Sequence, residues 1–187
     1  MPKLGIIAED DTDVDALRVI AQRIVPKLAT KKRVGDGCSK IPKKLPVWLE
    51  ELRKDGCTHY AIVHDLDRDK DRNELRSEKA LRTQLQSKIP KGFATLICIP
   101  IEELEAWFWA DGSLLSKLAK KPTEAARRPE TIALPKEKLI QLSRAGRTKP
   151  NYTTNDNAKL AKSLNLTLAR KACPSLEAFC AFVEQLA

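Results

Sequence analysis

The sequence predicts an α/β protein whose open, mainly parallel sheet is flanked by helices and followed by a C-terminal helical extension. Three short hydrophobic runs, at residues 3–8, 58–64 and 93–99, are typical of buried strands. Amphipathic segments alternate with these runs, and parallel strands are joined by such helical crossovers. Beyond residue 111 no strand-like run is evident. We therefore expect an α/β domain at residues 1–111 and a helical extension at 112–187 packed on the same domain.

The helices follow from hydrophobic spacing and from helix-ending residues. The first is expected at about 13–28, with Asp11 or Thr12 as its N-cap. Gly56 ends the second, as a glycine after a helix commonly does. Leu75, Leu81 and Leu85 are expected to face inward. The remaining predicted helices lie at 44–54, 74–88, 102–110, 113–120, 136–143, 156–162 and 175–186.

Composition narrows the class of protein. The chain carries 34 Lys and Arg against 25 Asp and Glu, a formal net charge of +9. If the acids gather at one site, the rest of the surface is more basic than the net charge suggests. Such a surface suits a polyanionic partner such as nucleic acid. The alternative is that the basic residues serve only solubility. No apolar run approaches the roughly 20 residues of a membrane helix. Five cysteines without a CxxC pair indicate reduced thiols in a cytoplasmic protein.

Carboxylates follow each of the three predicted strands. Glu9 and Asp13 come after the first, across a turn that leads into a helix. Both can face the crevice beyond the strand ends, where ligands bind in open parallel sheets. Asp13 could instead serve only the positive end of its helix.

The second strand is followed by Asp65-Leu66-Asp67. Alternation along an extended chain sends Asp65 and Asp67 to one side and Leu66 to the packed side. Two carboxylates on one side of a strand end suit Mg²⁺, which keeps several waters and needs few protein ligands. His64 precedes this pair and could transfer protons, but alternation points it away from Asp65 and favours a packed histidine.

The third group of acids lies at 102–109. Glu102 and Glu105 are three residues apart, which places both on one face of a helix, while Leu104, Trp107 and Phe108 form its buried side. An ordinary amphipathic helix with exposed acids is the alternative. Glu105 is the better candidate for a buried, functional carboxylate.

A basic cluster in the extension is a candidate nucleic-acid contact. Arg144, Arg147 and Lys149 could hold phosphates, and Tyr152 could stack on a base. The same residues equally suit an ordinary basic surface loop.

These motifs carry a resemblance. The Glu9 turn, the Asp65-Leu66-Asp67 motif and the alternating order resemble a Toprim domain, the fold of topoisomerases, primases and OLD-family nucleases. Glu9 with Asp13, and Glu102 with Glu105, are closer to the OLD-type variant, in which Ser usually stands at the place of Glu102. The string Glu103 to Trp107, Asp111, Tyr152 and the segment 173–175 resemble a less characterised bacterial Toprim-like family of unknown function. The resemblance implies Mg²⁺- or Mn²⁺-dependent phosphodiester chemistry, with a role in defence against mobile DNA.

Three functions remain open. The leading hypothesis is a metal-dependent nuclease in which Glu9, Asp65 and Asp67 are catalytic and, with Asp13 and Glu105, hold the metal. The second is a module that binds nucleic acid or a partner protein, or self-associates, without catalysis. The third is a phospho-receiver with Asp65 as acceptor. The expected strand-end Thr or Ser and final Lys-bearing strand of a receiver are missing from the sequence.

Overall fold

The computed structural model describes residues 2–35, 37, 40–69 and 74–187. In this part of the chain four strands form one parallel sheet in the order β2-β1-β3-β4, so the predicted α/β class with an open parallel sheet is confirmed. The strands are β1 (Lys3–Ala8), β2 (Ala29–Val34), β3 (His59–Val63) and β4 (Ala94–Cys98). The helices are α1 (Asp11–Ile24), α2 (Ile41–Lys54), α3 (Glu78–Gln86), α4 (Gly112–Ala119), α5 (Pro135–Arg144), α6 (Asn157–Ser163), α7 (Leu166–Ala172) and α8 (Pro174–Glu184).

The strand β2 corrects the sequence analysis, which predicts only three strands. Its sequence, Ala-Thr-Lys-Lys-Arg-Val, carries no hydrophobic run, and most of its residues are exposed or half-buried. It lies at the edge of the sheet beside β1, where a strand needs little apolar surface and lysines discourage pairing with other chains. A pattern search for buried strands therefore misses it.

The two faces of the sheet are covered differently. Leu4, Ile6 and Ala8 of β1 pack with α1 and with the helices that follow residue 103, in one hydrophobic core. Ile7 points to the opposite face and packs with α2 and α3. Helix α2 approaches β1 closely at Gly5, where a Cβ atom would lie 3.0 Å from Leu52 Cδ1. The C-terminal helices thus share a core with β1 and α1.

Of two predicted helix ends, the structure changes one and confirms the other. Asp10, and not Asp11 or Thr12, is the N-cap of α1, since its side chain accepts hydrogen bonds from the backbone N–H groups of Thr12 and Asp13. Gly56 lies at the end of α2 with φ of 83°, as predicted. Leu75 precedes α3 and is 41% exposed, so the expectation that it faces the core is wrong.

Further corrections concern helical segments. The predicted helix at 102–110 is a 3₁₀ helix, Leu104–Ala110. Helix α7 is absent from the prediction, although Asn165 caps it by accepting the N–H of Leu168. Among the described residues, no helix is long and apolar enough to cross a membrane. Four cysteines are free and buried, while Cys38 lies outside the described residues.

Candidate active site

Strand ends and the 3₁₀ helix bring four acidic side chains into mutual electrostatic range. Glu9 directly follows β1, and Asp13 is held in the first turn of α1 by the Asp10 cap, at 7% exposure. Asp65 follows β3, and Glu105 in the 3₁₀ helix is 3% exposed. The sequence analysis names all four as candidate site residues, and the fold gathers them at the carboxyl ends of β1 and β3.

Glu9 is fixed by groups at the end of the neighbouring strand. Its Oε1 accepts the backbone N–H of Asp65 at 3.2 Å and lies 3.2 Å from Nδ1 of His64. The same Nδ1 lies 2.9 Å from the carbonyl oxygen of Asp65, which can only accept, so Nδ1 carries a proton. The single Nδ1–H is shared between this carbonyl oxygen and Glu9 Oε1, and together with the Asp65 N–H it ties the end of β1 to the end of β3.

Glu105 is held by buried side chains of the C-terminal extension. The amide Nδ2 of Asn157 donates to Glu105 Oε1 at 3.0 Å. The Tyr152 hydroxyl donates to Asn157 Oδ1 at 2.7 Å and lies 3.4 Å from the same Glu105 oxygen. Because Tyr152 is fully buried in this network, the expectation that it stacks on a base is wrong.

The acids raise one another's pKa values. Burial, followed by repulsion from Asp67, raises the pKa of Glu9 to about 7 against the hydrogen bond from Asp65. Burial, with repulsion from Asp10, Glu105 and Glu9, raises the pKa of Asp13 to about 8. The pKa of Asp65 is held well above its usual range, first by burial and then by repulsion from Asp13 and Glu9. The pKa of Glu105 is raised by burial, which outweighs the Asn157 hydrogen bond.

Glu103 places a cation beside this group. Lys136, at the start of α5, donates from Nζ to Glu103 Oε1 at 2.5 Å and from its backbone N–H to Oε2 at 3.2 Å. Burial alone lowers the pKa of Lys136, but this hydrogen bond and the charge of Glu103 raise it above its usual value. The positive charge also lowers the pKa of Glu9 and Glu105. It partly offsets the repulsion among the acids.

Asp67 and Glu102 take different roles. Leu66 is buried and bridges to Ile101, so Asp65 and Asp67 leave the packed side as predicted, and Asp67 acts electrostatically on Glu9. Glu102 precedes the 3₁₀ helix with φ of 66° and forms a bidentate ion pair with Arg68. The prediction that Glu102 and Glu105 share a helical face is therefore wrong, because the backbone turns sharply between them.

An open cleft of 660 Å³ adjoins the acids, between the N-terminal ends of α2 and α3. His64 and Asp65 line one side of it. Lys43 and Arg76 lie among the other lining residues, which are Pro42, Ser77, Ala80, Leu81 and Gln84. The arrangement provides a route from solvent to Asp65.

The basic cluster predicted at the end of α5 is not part of this site. Arg144, Arg147 and Lys149 are exposed, and they are absent from the residues that line the cleft. Arg147 donates to Asn151 Oδ1 at 2.7 Å. Whether this surface contacts nucleic acid stays a prediction.

The donor set suits a hard divalent cation, although the acids do not converge on one point. Carboxylate oxygens are the ligands that Mg²⁺ and Mn²⁺ prefer, and a cation would relieve the repulsion that raises these pKa values. Within residues 2–35, 37, 40–69 and 74–187, no three His, Cys, Asp or Glu side chains are grouped so as to hold a metal ion. Glu9 and Glu105 are instead occupied by N–H groups of the protein.

Comparison with protein families matches one model, a domain of unknown function (DUF4276), over residues 8–184. The chain belongs to the DUF4276 family. Neither the comparison with curated proteins nor that with solved structures gives a match. The matched range begins at the end of β1 and includes every acid described above, so the site lies within the DUF4276 domain.

Sequence reasoning missed three functional candidates of this DUF4276 chain. His64 is 4% exposed, as expected for a packed histidine, but its contact with Glu9 was missed because Glu9 follows the neighbouring strand β1. Lys136 and Asn157 lie 33 and 52 residues from their partners Glu103 and Glu105, and no local pattern connects them. Asp111 has a structural role, since it caps α4 and accepts the N–H of Asn165.

Proposed function

We propose that this chain is a divalent-metal-dependent nuclease, or a related phosphodiester-transfer enzyme, that acts on nucleic acid in the cytoplasm. The observation that supports the proposal is the group of carboxylates Glu9, Asp13, Asp65 and Glu105, of which two are buried and two half-buried, and whose pKa values are all raised. Burying several like charges without a cation is costly, and perturbed acids in a crevice favour a functional site. The Toprim resemblance of the motifs points to the same chemistry.

The residues that would hold the metal are those nearest the solvent-accessible side. Asp65 lines the cleft, Asp13, Glu9 and Glu105 act electrostatically on it, and Asp67 acts on Glu9. Mg²⁺ commonly takes only one or two carboxylates and completes its shell with water and substrate phosphate. A site that is incomplete without substrate is consistent with such binding. When bound, the cation would polarise the phosphate and make water a better nucleophile.

Glu9 is the residue proposed to transfer a proton. A pKa of about 7 lets its carboxyl group accept and return protons near neutral pH. His64 acts as a positioning residue, because its Nδ1 and the Asp65 N–H both contact the same Glu9 oxygen, Oε1, at 3.2 Å. The basic surface, with a net charge of +9, would attract the substrate backbone.

The test is cleavage of labelled DNA and RNA with Mg²⁺ or Mn²⁺, together with calorimetric metal titration. Glu9→Gln should lower the rate by about 10²–10⁴-fold, the usual contribution of a general acid or base. Asp65→Ala/Asp67→Ala should abolish metal binding. Asp15→Asn is the matched control, since Asp15 is a half-exposed acid of α1 paired with Arg18. Unchanged cleavage in both site variants would remove the assignment.

A second candidate is a nucleic-acid-binding module without catalysis. It is favoured by the exposed cations Arg144, Arg147 and Lys149, which lie apart from the acids. Tight binding of DNA or RNA that is lost on neutralising these cations, with no cleavage under any divalent metal, would support this candidate over the nuclease.

A further inference from the structure

The cleft beside Asp65 has the size and chemistry of a ligand site. Its volume of 660 Å³ lies within the roughly 300–1,000 Å³ of pockets that hold small ligands. His64 and Asp65 form part of its lining, so a ligand seated here would reach the acids. An intact duplex is too wide to enter a space of this size, whereas one nucleotide unit can.

Among the described residues, two cations in the lining have no carboxylate partner. Lys43 lies in the first turn of α2, and Arg76 lies just before Ser77, the N-cap of α3. In the part of the chain that the structure describes, neither forms an ion pair, although many other basic residues do. The N-terminal end of α2 lacks a side-chain cap and adds positive potential. These groups suit a phosphate.

The remaining lining suits a nucleoside. Pro42, Ala80 and Leu81 offer an apolar surface to a base or sugar, while Ser77 and Gln84 offer hydrogen-bonding groups. Cationic, apolar and amide groups thus line one cleft next to the carboxylates. The basic cluster at 144–149 differs, because the cavity that Ala145 and Gly146 line there has none of the site's carboxylates among its described lining residues.

We infer that this cleft binds one nucleoside phosphate unit, with the phosphate on Lys43 and Arg76, and that substrate therefore enters as a single strand or a strand end. That the bound unit is a substrate rests on the proposed function, whereas binding of a nucleoside phosphate in the cleft does not. A free mononucleotide has the same phosphate, sugar and base as one unit of a strand, and the experiment distinguishes the free nucleotide from the strand as ligand.

The test is binding of a fluorescein-labelled oligothymidylate, measured by anisotropy with Ca²⁺ in place of Mg²⁺, with its duplex and thymidine monophosphate as competitors. Lys43→Gln/Arg76→Gln should weaken binding of the strand by about tenfold or more, as expected for loss of charged hydrogen bonds. Lys44→Gln/Lys79→Gln is the matched control, because it removes the same charge from exposed positions of α2 and α3 outside the cleft.

Strand binding that is selectively lost in the cleft variant, with weaker competition by duplex, supports the inference. Competition by the monophosphate at concentrations similar to those of the strand identifies a free nucleotide as the ligand, and much weaker competition identifies a strand. Equal affinity in the two double variants, or duplex bound as tightly as strand, overturns the inference. If the strand binds through Lys43 and Arg76 but is not cleaved with Mg²⁺ or Mn²⁺, the nuclease proposal fails and the binding inference stands. If the strand is cleaved but binds equally well to the cleft variant, the binding inference fails and the nuclease proposal stands.

Discussion

Nδ1 of His64 lies 3.2 Å from Oε1 of Glu9, and this contact joins the ends of two neighbouring parallel strands. The same nitrogen also lies 2.9 Å from the carbonyl oxygen of Asp65, so two acceptors hold the Nδ1 edge of the ring. Glu9 is therefore oriented before any ligand arrives. Such prior orientation is what a group that moves a proton requires.

Replacing His64 tests this positioning role. His64→Ala removes an N–H that faces Glu9, so we expect slower cleavage. Because loss of a hydrogen-bond donor raises the pKa of a carboxyl group, the limb of the pH–rate profile that reports Glu9 should move to higher pH. His64→Asn should restore part of the rate, since an amide N–H can replace Nδ1–H. Measured pH–rate profiles that coincide for wild type and His64→Ala would contradict the role.

The buried acids predict how stability depends on pH. Folding raises the pKa of Asp13 from 3.8 to about 8 and that of Glu9 from 4.5 to about 7, so the folded state binds more protons between these values. Their contribution is fully present below about pH 4 and is lost as pH rises through 7 to 8. Metal-free protein should therefore lose part of its thermal stability between pH 5 and 8.

Divalent metal should reverse this loss. If the proposed site holds Mg²⁺, the ion binds the ionised acids, so the increase in melting temperature on adding Mg²⁺ should be larger at pH 8 than at pH 5. In Asp13→Asn both the pH-dependent loss and the metal-dependent gain should shrink. A melting temperature that responds equally to Mg²⁺ at both pH values would be inconsistent with these acids as the metal site.

The network beneath Glu105 predicts a stability effect. Asn157→Ala removes the donor to Glu105 and the acceptor of Tyr152, leaving both groups buried without that partner. We expect the free energy of unfolding to fall by about 1–3 kcal/mol, the usual cost of an unsatisfied buried polar group. Urea denaturation measures it. Asn151→Ala, at an exposed asparagine, is the control and should change stability by less than about 0.5 kcal/mol.

The ion pair of Arg68 with Glu102 predicts a rescue. Glu102 is 4% exposed, so Arg68→Ala leaves a buried carboxylate without this cation and should cost about 2 kcal/mol, less than a fully buried pair because Arg68 is partly exposed. Adding Glu102→Gln should recover part of the loss, since a neutral amide is cheaper to bury. If the double variant is as unstable as Arg68→Ala or more so, the buried charge is not the cause.

Much of the fold followed from local pattern. The three hydrophobic strands β1, β3 and β4 lie within a residue of their predicted bounds, because buried parallel strands read as short apolar runs. Strand β2 was not predicted from the sequence pattern, since its residues are held by pairing with β1 and not by burial. The 3₁₀ helix was predicted as an α-helix because the two share similar spacing over a few residues.

The sequence by itself determined which acids could form a site, because strand ends and the helix-capping turn place Glu9, Asp13 and Asp65 at one edge of a parallel sheet. Only the tertiary structure decided their environment. Burial and mutual repulsion set their pKa values, and the partners His64 and Asn157 come from the end of the neighbouring strand β3 and from a distant helix. These depend on distances across the folded chain, which local sequence patterns do not encode.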